Sequence, residues 1–382
     1  MRLFVTIAFL LILQACSQKE DKHLAGMDHF RISLDTVLVD AGEEFLYLNN
    51  DLYYSSLSPE KDYLINFNQN DFTAEKIDLN ELKLLEKIQF EKEGPNGLGS
   101  YPRFKVLGDQ NLLFWKYSFY KIFDQQGQLV KNLDLDKIAA EYLGSDEYYP
   151  RTLLQDQNNP SRIVGLIVNW ESDTYILLDF DLTSQSFKKI DLPELEKKSE
   201  FKVDLLYEGS PAGSYGTWTS SQYIDGKILI STNTFNEVQV FDLESDSLYV
   251  KSWDTPLLGS KRSYIPPKEV ERTSGELKEI IRKAEEDISY REFVWDDKNE
   301  RFFRFSEKKH FGEELNGYGD FISTGSDVFL SVFDKDFNLI FEAEISELAK
   351  LPLTYFTKDG NIWMFENIDD ELAFIIVKVE VL

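Results

Sequence analysis

Two triplets carry side chains suited to ligand recognition. Tyr101-Pro102-Arg103 and Tyr149-Pro150-Arg151 recur 48 residues apart. Arginine offers a planar fork matched to a carboxylate, and tyrosine a flat amphipathic ring matched to a sugar. The same triplets also fit repeated turn geometry, with proline fixing a strand entry and arginine pairing with a neighbouring acid. Trp218, in Gly216-Thr217-Trp218-Thr219, precedes a strand in the same way. Tyr101, Arg103, Tyr149, Arg151 and Trp218 are therefore the candidate ligand-binding residues.

A catalytic set is harder to assemble. The three histidines are His23, His29 and His310, too few for a His-rich zinc site. A Ser-His-Asp arrangement would have to use His310, and there is no Gly-x-Ser-x-Gly elbow. Glu93-Gly94-Pro95-Asn96-Gly97-Leu98-Gly99 lacks the Lys-Ser/Thr end of a phosphate-binding loop. Asp296-Asp297-Lys298-Asn299-Glu300 and Asp369-Asp370-Glu371 are oxygen-rich but lack the EF-hand pattern, and both read as hairpin turns. No catalytic residue, metal ligand or cofactor is assigned. An axial metal held by carboxylates from several repeats keeps a metal-dependent hydrolase or lyase as an alternative.

Cys16 is the one cysteine, so no disulfide forms within the chain. Met1-Arg2 supplies a positive start, and Leu3–Leu13 is apolar apart from Thr6. That length suits a signal peptide and is too short to span a bilayer. Leu13-Gln14-Ala15-Cys16 resembles the lipobox of bacterial lipoproteins, in which the thiol is alkylated by diacylglycerol and the chain is cut before it. Residues 1–15 are thus read as a signal peptide and 16–27 as a lipid-bearing tether. Several acyl chains on one residue anchor stably. Ser17 follows the cysteine rather than aspartate, which points to the outer membrane. The Lys19-Glu20-Asp21 run that follows is compatible with surface exposure.

The 382 residues include 68 acidic and 41 basic side chains, a net charge of −27. Such a surface repels phosphate backbones and argues against nucleic acid as a partner. At 42% hydrophobic and 14% aromatic residues, a large core is within reach.

The elements that position the candidates follow from a repeat. Phe67, Phe123, Phe180, Phe241 and Phe333 each sit in an apolar strand that runs into Asn or Asp, a polar turn and a second strand, the pattern of a β-hairpin. Their steps are 56, 57, 61 and 92 residues, so the last step holds an insertion. A period near 57 gives about six repeats, and two further strands fit before each hairpin. The reading is an all-β, six-bladed β-propeller of four-stranded antiparallel blades spanning residues 28–382. The last repeat is short of one strand. Phe30–Asp35 should supply it beside Ala373–Val381 and remove the free edge. The insertion, at about 252–290, should hold a helix from Gly275 to about Asp287, capped by Ser274.

The lipobox, the repeat and the Gly-Pro-Asn-Gly-x-Gly stretch together resemble an uncharacterised family of bacterial lipoproteins in the six-bladed, TolB-like propeller class. The resemblance implies fold and location only. The expected function is therefore non-catalytic binding of a protein, peptide or glycan at the cell envelope, on a domain joined to the membrane through lipid on Cys16. A structural part in an envelope complex is a further alternative.

Overall fold

The computed structural model describes residues 30–381. The signal peptide, Cys16, the tether, His23 and His29 lie outside the described residues. The chain is all-β. Among the described residues it forms six four-stranded antiparallel sheets and one three-stranded sheet.

Sheet one comprises Ser55–Leu57, Tyr63–Asn68, Thr73–Asp78 and Lys83–Gln89. Sheet two comprises Arg103–Val106, Leu112–Lys116, Phe119–Phe123 and Leu129–Asn132. Sheet three runs from Tyr148–Asp156 through Asn159–Asn169 and Thr174–Asp181 to Ser186–Asp191. Sheet four comprises Thr219–Ile224, Lys227–Thr232, Glu237–Asp242 and Ser247–Ser252. In sheet five the middle strands, Arg301–Leu315 and Phe321–Asp334, extend well beyond Ser289–Asp296 and Leu339–Glu344. Sheet six takes Tyr355–Lys358, Asn361–Ile368 and Glu371–Val381 from the C-terminal region and Phe30–Leu38 from the other end of the chain. That last pairing runs antiparallel from Phe30 opposite Val381 to Leu38 opposite Ala373.

Apolar side chains join the sheets in order. Phe67 and Phe90 of the first segment meet Phe104, Phe114 and Phe123 of sheet two, with ring centroids 5.1–5.9 Å apart. Trp115 packs with Leu153 and Phe180, Leu166 with Ile230, Leu229 with Phe302, and Phe305 with Met364. Phe356, Trp363 and Phe374 of sheet six then pack on Leu64 and Ile77 of sheet one. Each contact lies between successive sheets, and the sixth returns to the first. The two-residue alternation of strands gives every sheet two apolar faces, which such an arrangement covers on both sides.

The repeat is real but starts one strand later than the phenylalanines suggest. Phe123, Phe180, Phe241 and Phe333 lie on third strands, whereas Phe67 lies on the second strand of sheet one. The structural equivalent of Asp124, Asp181, Asp242 and Asp334 is Asp78, not Asn68. Each of these five carboxylates accepts two backbone N–H groups from the turn that follows, at 2.7–3.2 Å. Aspartate ends these strands because its short side chain satisfies turn amides that have no ladder partner.

The insertion also differs from the expectation. Its helix is Glu276–Glu286, with Ser274 Oγ accepting from the Glu276 amide at 3.2 Å. The structural addition begins earlier, however. Val203–Tyr207 and Ser210–Tyr215 form a hairpin before sheet four, and Glu269–Glu271 joins it in parallel to make the three-stranded sheet. Val203 and Val270 pack against Ile280 of the helix. A three-residue strand carries too little alternation to be visible in the sequence.

Candidate ligand face and central channel

First strands of neighbouring sheets lie beside one another around the centre of the arrangement. Residues at the start of these strands share one end of the molecule. Turns between second and third strands open at that same end, since strand direction alternates. Tyr53, Tyr101, Tyr149 and Trp218 lie at strand entries there, and Tyr117 and Trp170 lie in second-to-third turns.

Several of these side chains form one surface. The Tyr149 ring packs at a tilt against Tyr117, centroids 4.8 Å apart, and against Trp170 at 5.7 Å. Tyr117 is 41% and Trp170 53% exposed, so both side chains are open to water. Arg103 Nη1 donates to Tyr53 Oη at 3.4 Å, and Tyr53 packs edge-on against Tyr54. Burial works against the Arg103 charge, but the oxygens of Tyr53 and Tyr149 more than offset it and hold the guanidinium above its ordinary value. The result is a band from Trp170 through Tyr117 and Tyr149 to Arg103 and Tyr53, crossing sheets three, two and one.

Two of the five candidates from the sequence, Arg103 and Tyr149, meet here. Tyr101 stands at the same end, 75% exposed and with φ of 54°. Arg151 does not join them. A bulge between Pro150 and Thr152 leaves it out of the ladder, and its charge acts on Tyr175 instead. Trp218 opens sheet four at the same end. It is tied by its backbone N–H to Asn233 Oδ1 at 3.0 Å, and it stacks on none of these rings.

Below the band, the first strands bring together residues with no sequence signature. Lys105 follows Arg103 by two positions and so shares its face of the strand. Burial pushes its ammonium below the ordinary lysine range, Glu292 opposing. Glu292, on the first strand of sheet five, accepts from Gln222 Nε2 of sheet four at 2.6 Å, and its main-chain oxygen accepts from Tyr355 Oη of sheet six at 2.6 Å. Sheets two, four, five and six thus place polar groups around one central channel. These residues lie in short strands separated by up to 250 positions, so only the closed arrangement reveals them.

The remaining motifs have structural roles. Leu98 is fully buried between sheets one and two, and Gly97 leaves no room for a Cβ, which would fall 2.5 Å from the Glu93 backbone. Asp296 accepts from Arg301 Nε at 2.9 Å, and Asp297 pairs with Lys61. His310 Nε2 lies 2.8 Å from Asp327 Oδ1 on the exposed extension of sheet five. Among the described residues no three His, Cys, Asp or Glu side chains converge on a metal position. The channel instead gathers Arg103 and Lys105, so its donors do not fit an axial metal.

The profile of the domain of unknown function DUF4221 matches residues 28–344. The chain belongs to this DUF4221 family. A crystal structure of a DUF4221 member from Bacteroides vulgatus superposes with a TM-score of 0.65 at 17% identity, covering 93% of this chain and 99% of that one. A Bacteroides fragilis protein follows at TM-score 0.50 and 9% identity, covering 92% and 95%. The β-propeller domain of Myceliophteria thermophila Swd1 matches at TM-score 0.38 and 8% identity, over 84% and 94%. No curated protein matches the chain.

Proposed function

We propose that the chain is a six-bladed propeller of the TolB-like class, carried at the outer membrane on a lipidated Cys16, and that it captures a glycan without catalysis. The blade count is supported by six sheets whose cores link in sequence and return to the first. The anchor is supported by the lipobox residues and by a net charge of −27, which keeps the body itself off anionic headgroups.

The observation that carries the binding reading is the band of contacting, water-exposed aromatics Trp170-Tyr149-Tyr117 ending on Arg103. Flat rings with one face in water suit the apolar faces of pyranoses, and a guanidinium fixes polar groups beside them. Exposed aromatics of this kind lack a stabilising reason of their own, because folding favours covering them. The full chain, purified in detergent, is to be screened on an oligosaccharide array beside its Trp170→Ala variant. Binding that falls tenfold or more in the variant, about 1.4 kcal/mol, supports the reading. Capture that is equal in both rejects it, and so does capture of peptides alone.

A further inference from the structure

The central channel contains a cation that no described residue engages in a hydrogen bond or close ion pair. Lys105 makes no hydrogen bond or ion pair with any described residue, although acidic side chains outnumber basic ones 68 to 41. The facing carboxylate, Glu292, is engaged by Gln222, and its main-chain oxygen by Tyr355. Arg103, two positions away on the same face, meets the phenolic oxygens of Tyr53 and Tyr149 and pairs with no carboxylate among the described residues. Among the described residues two cations that form no ion pair therefore share one strand face, and Glu292 is the one carboxylate that acts on Lys105 from across the ring. Lys105 is partly buried, and keeping a lysine charged with reduced access to water is costly unless an anion approaches. In a surrounding of reduced dielectric that anion is attracted more strongly than at an open surface.

We propose that Arg103 and Lys105 together form a carboxylate site, and that the oligosaccharide on the aromatic band is an acidic one whose uronate group enters the channel mouth. This rests on the glycan reading above and adds the charge of the ligand. The guanidinium fork would hold both carboxylate oxygens in one plane, and the ammonium would neutralise the same group as a point charge. The band leads to this spot through Tyr149, whose ring packs at a tilt against Tyr117 and Trp170 while its oxygen acts on Arg103.

The test uses a galacturonate oligomer and the same oligomer fully methyl-esterified, titrated calorimetrically into the full chain in detergent. Esterification keeps the rings and removes the charge. The acid form should bind at least tenfold more tightly than the ester. Lys105→Met should bring the acid form down to the level of the ester, and Lys105→Arg should restore most of the difference. Equal affinity for the two forms overturns the proposal, and so does a difference that persists in Lys105→Met. Failure of both forms to bind also overturns it. If neutral oligosaccharides still bind in a Trp170-dependent manner, only the uronate assignment has failed. If no oligosaccharide binds, the glycan reading has failed with it.

Discussion

Arg304 provides a stringent test of how the core between sheets four and five is balanced. It is 1% exposed, on the second strand of sheet five. Its Nη2 donates to Asn236 Oδ1, while Nε and Nη1 have no partner. The rings of Trp253, Tyr290, Phe293 and Phe333 surround the guanidinium at 4.9–5.4 Å. Burial lowers its pKa from the ordinary arginine range to about 10, with Tyr290 and Glu342 opposing. That fall corresponds to about 3 kcal/mol of disfavoured charge in the fold. The sign follows from the depressed pKa of a base: the cost is fully present below pH 10 and relieved only as pH rises through it. Arg304→Met removes this cost. It also removes the cation–π attraction, about 2 kcal/mol in a dry site, and the hydrogen bond to Asn236, about 1 kcal/mol. These terms nearly cancel, so the methionine variant should unfold in urea at neutral pH within about 1 kcal/mol of the parent. Arg304→Ala adds a cavity and should be about 2–5 kcal/mol less stable than the methionine variant. A methionine variant that loses more than about 3 kcal/mol would refute the reasoning, because the guanidinium would then be a net support rather than a tolerated cost.

Two other perturbations address the repeat and the anchor. Asp242 is held below the ordinary carboxylate range by the Ser245 amide against a small burial effect, so its contribution exists above the unfolded pKa and disappears as pH falls through the folded one. Asp242→Ala should lower stability by about 1 kcal/mol at pH 7 and by much less at pH 3, read from denaturation midpoints at both pH values; equal losses would reject the turn assignment. Cys16→Ser should shift the protein from the membrane fraction to the soluble one when cells are fractionated, and an unchanged distribution would reject lipid anchoring.

What could be read in advance depended on how local each signal was. The aspartates that end third strands act within four residues of themselves, so their pattern survives in sequence. The closing strand was also legible, because Phe30–Leu38 alternates like the other edge strands and the last repeat lacked one. The first repeat was misplaced because Phe67-Asn68 ends a second strand on a similar turn, with Asn68 accepting from the Asn70 amide at 2.9 Å. Asparagine and aspartate cap such turns in the same way. Arg151 stands apart from Arg103 for a different reason: a single bulged residue redirects a side chain, and nothing in Tyr-Pro-Arg reveals the bulge. Lys105, Gln222 and Glu292 were invisible because each is an ordinary polar residue on a short strand. Their meaning comes only from sharing a channel.

The direction of the closing strand bears on how an anchored molecule would present its site. Within sheet six, Phe30–Leu38 is antiparallel to Glu371–Val381, which is antiparallel to Asn361–Ile368, which is antiparallel to Tyr355–Lys358. Phe30–Leu38 therefore runs opposite to the first strand of its own sheet. First strands begin at the aromatic face, so Phe30 lies at the other end, near the Asp359-Gly360 turn, and Leu38 lies near the aromatic end. A lipid attached at Cys16 would join the domain through Phe30 and so hold the face opposite to Trp170, Tyr149 and Arg103 toward the bilayer. The thirteen residues between Cys16 and Phe30 would reach roughly 40 Å if fully extended, enough to keep an acidic body clear of anionic headgroups. With such an anchor, the pairing that closes the sheet would bring the tether in at the end opposite to the surface proposed to bind.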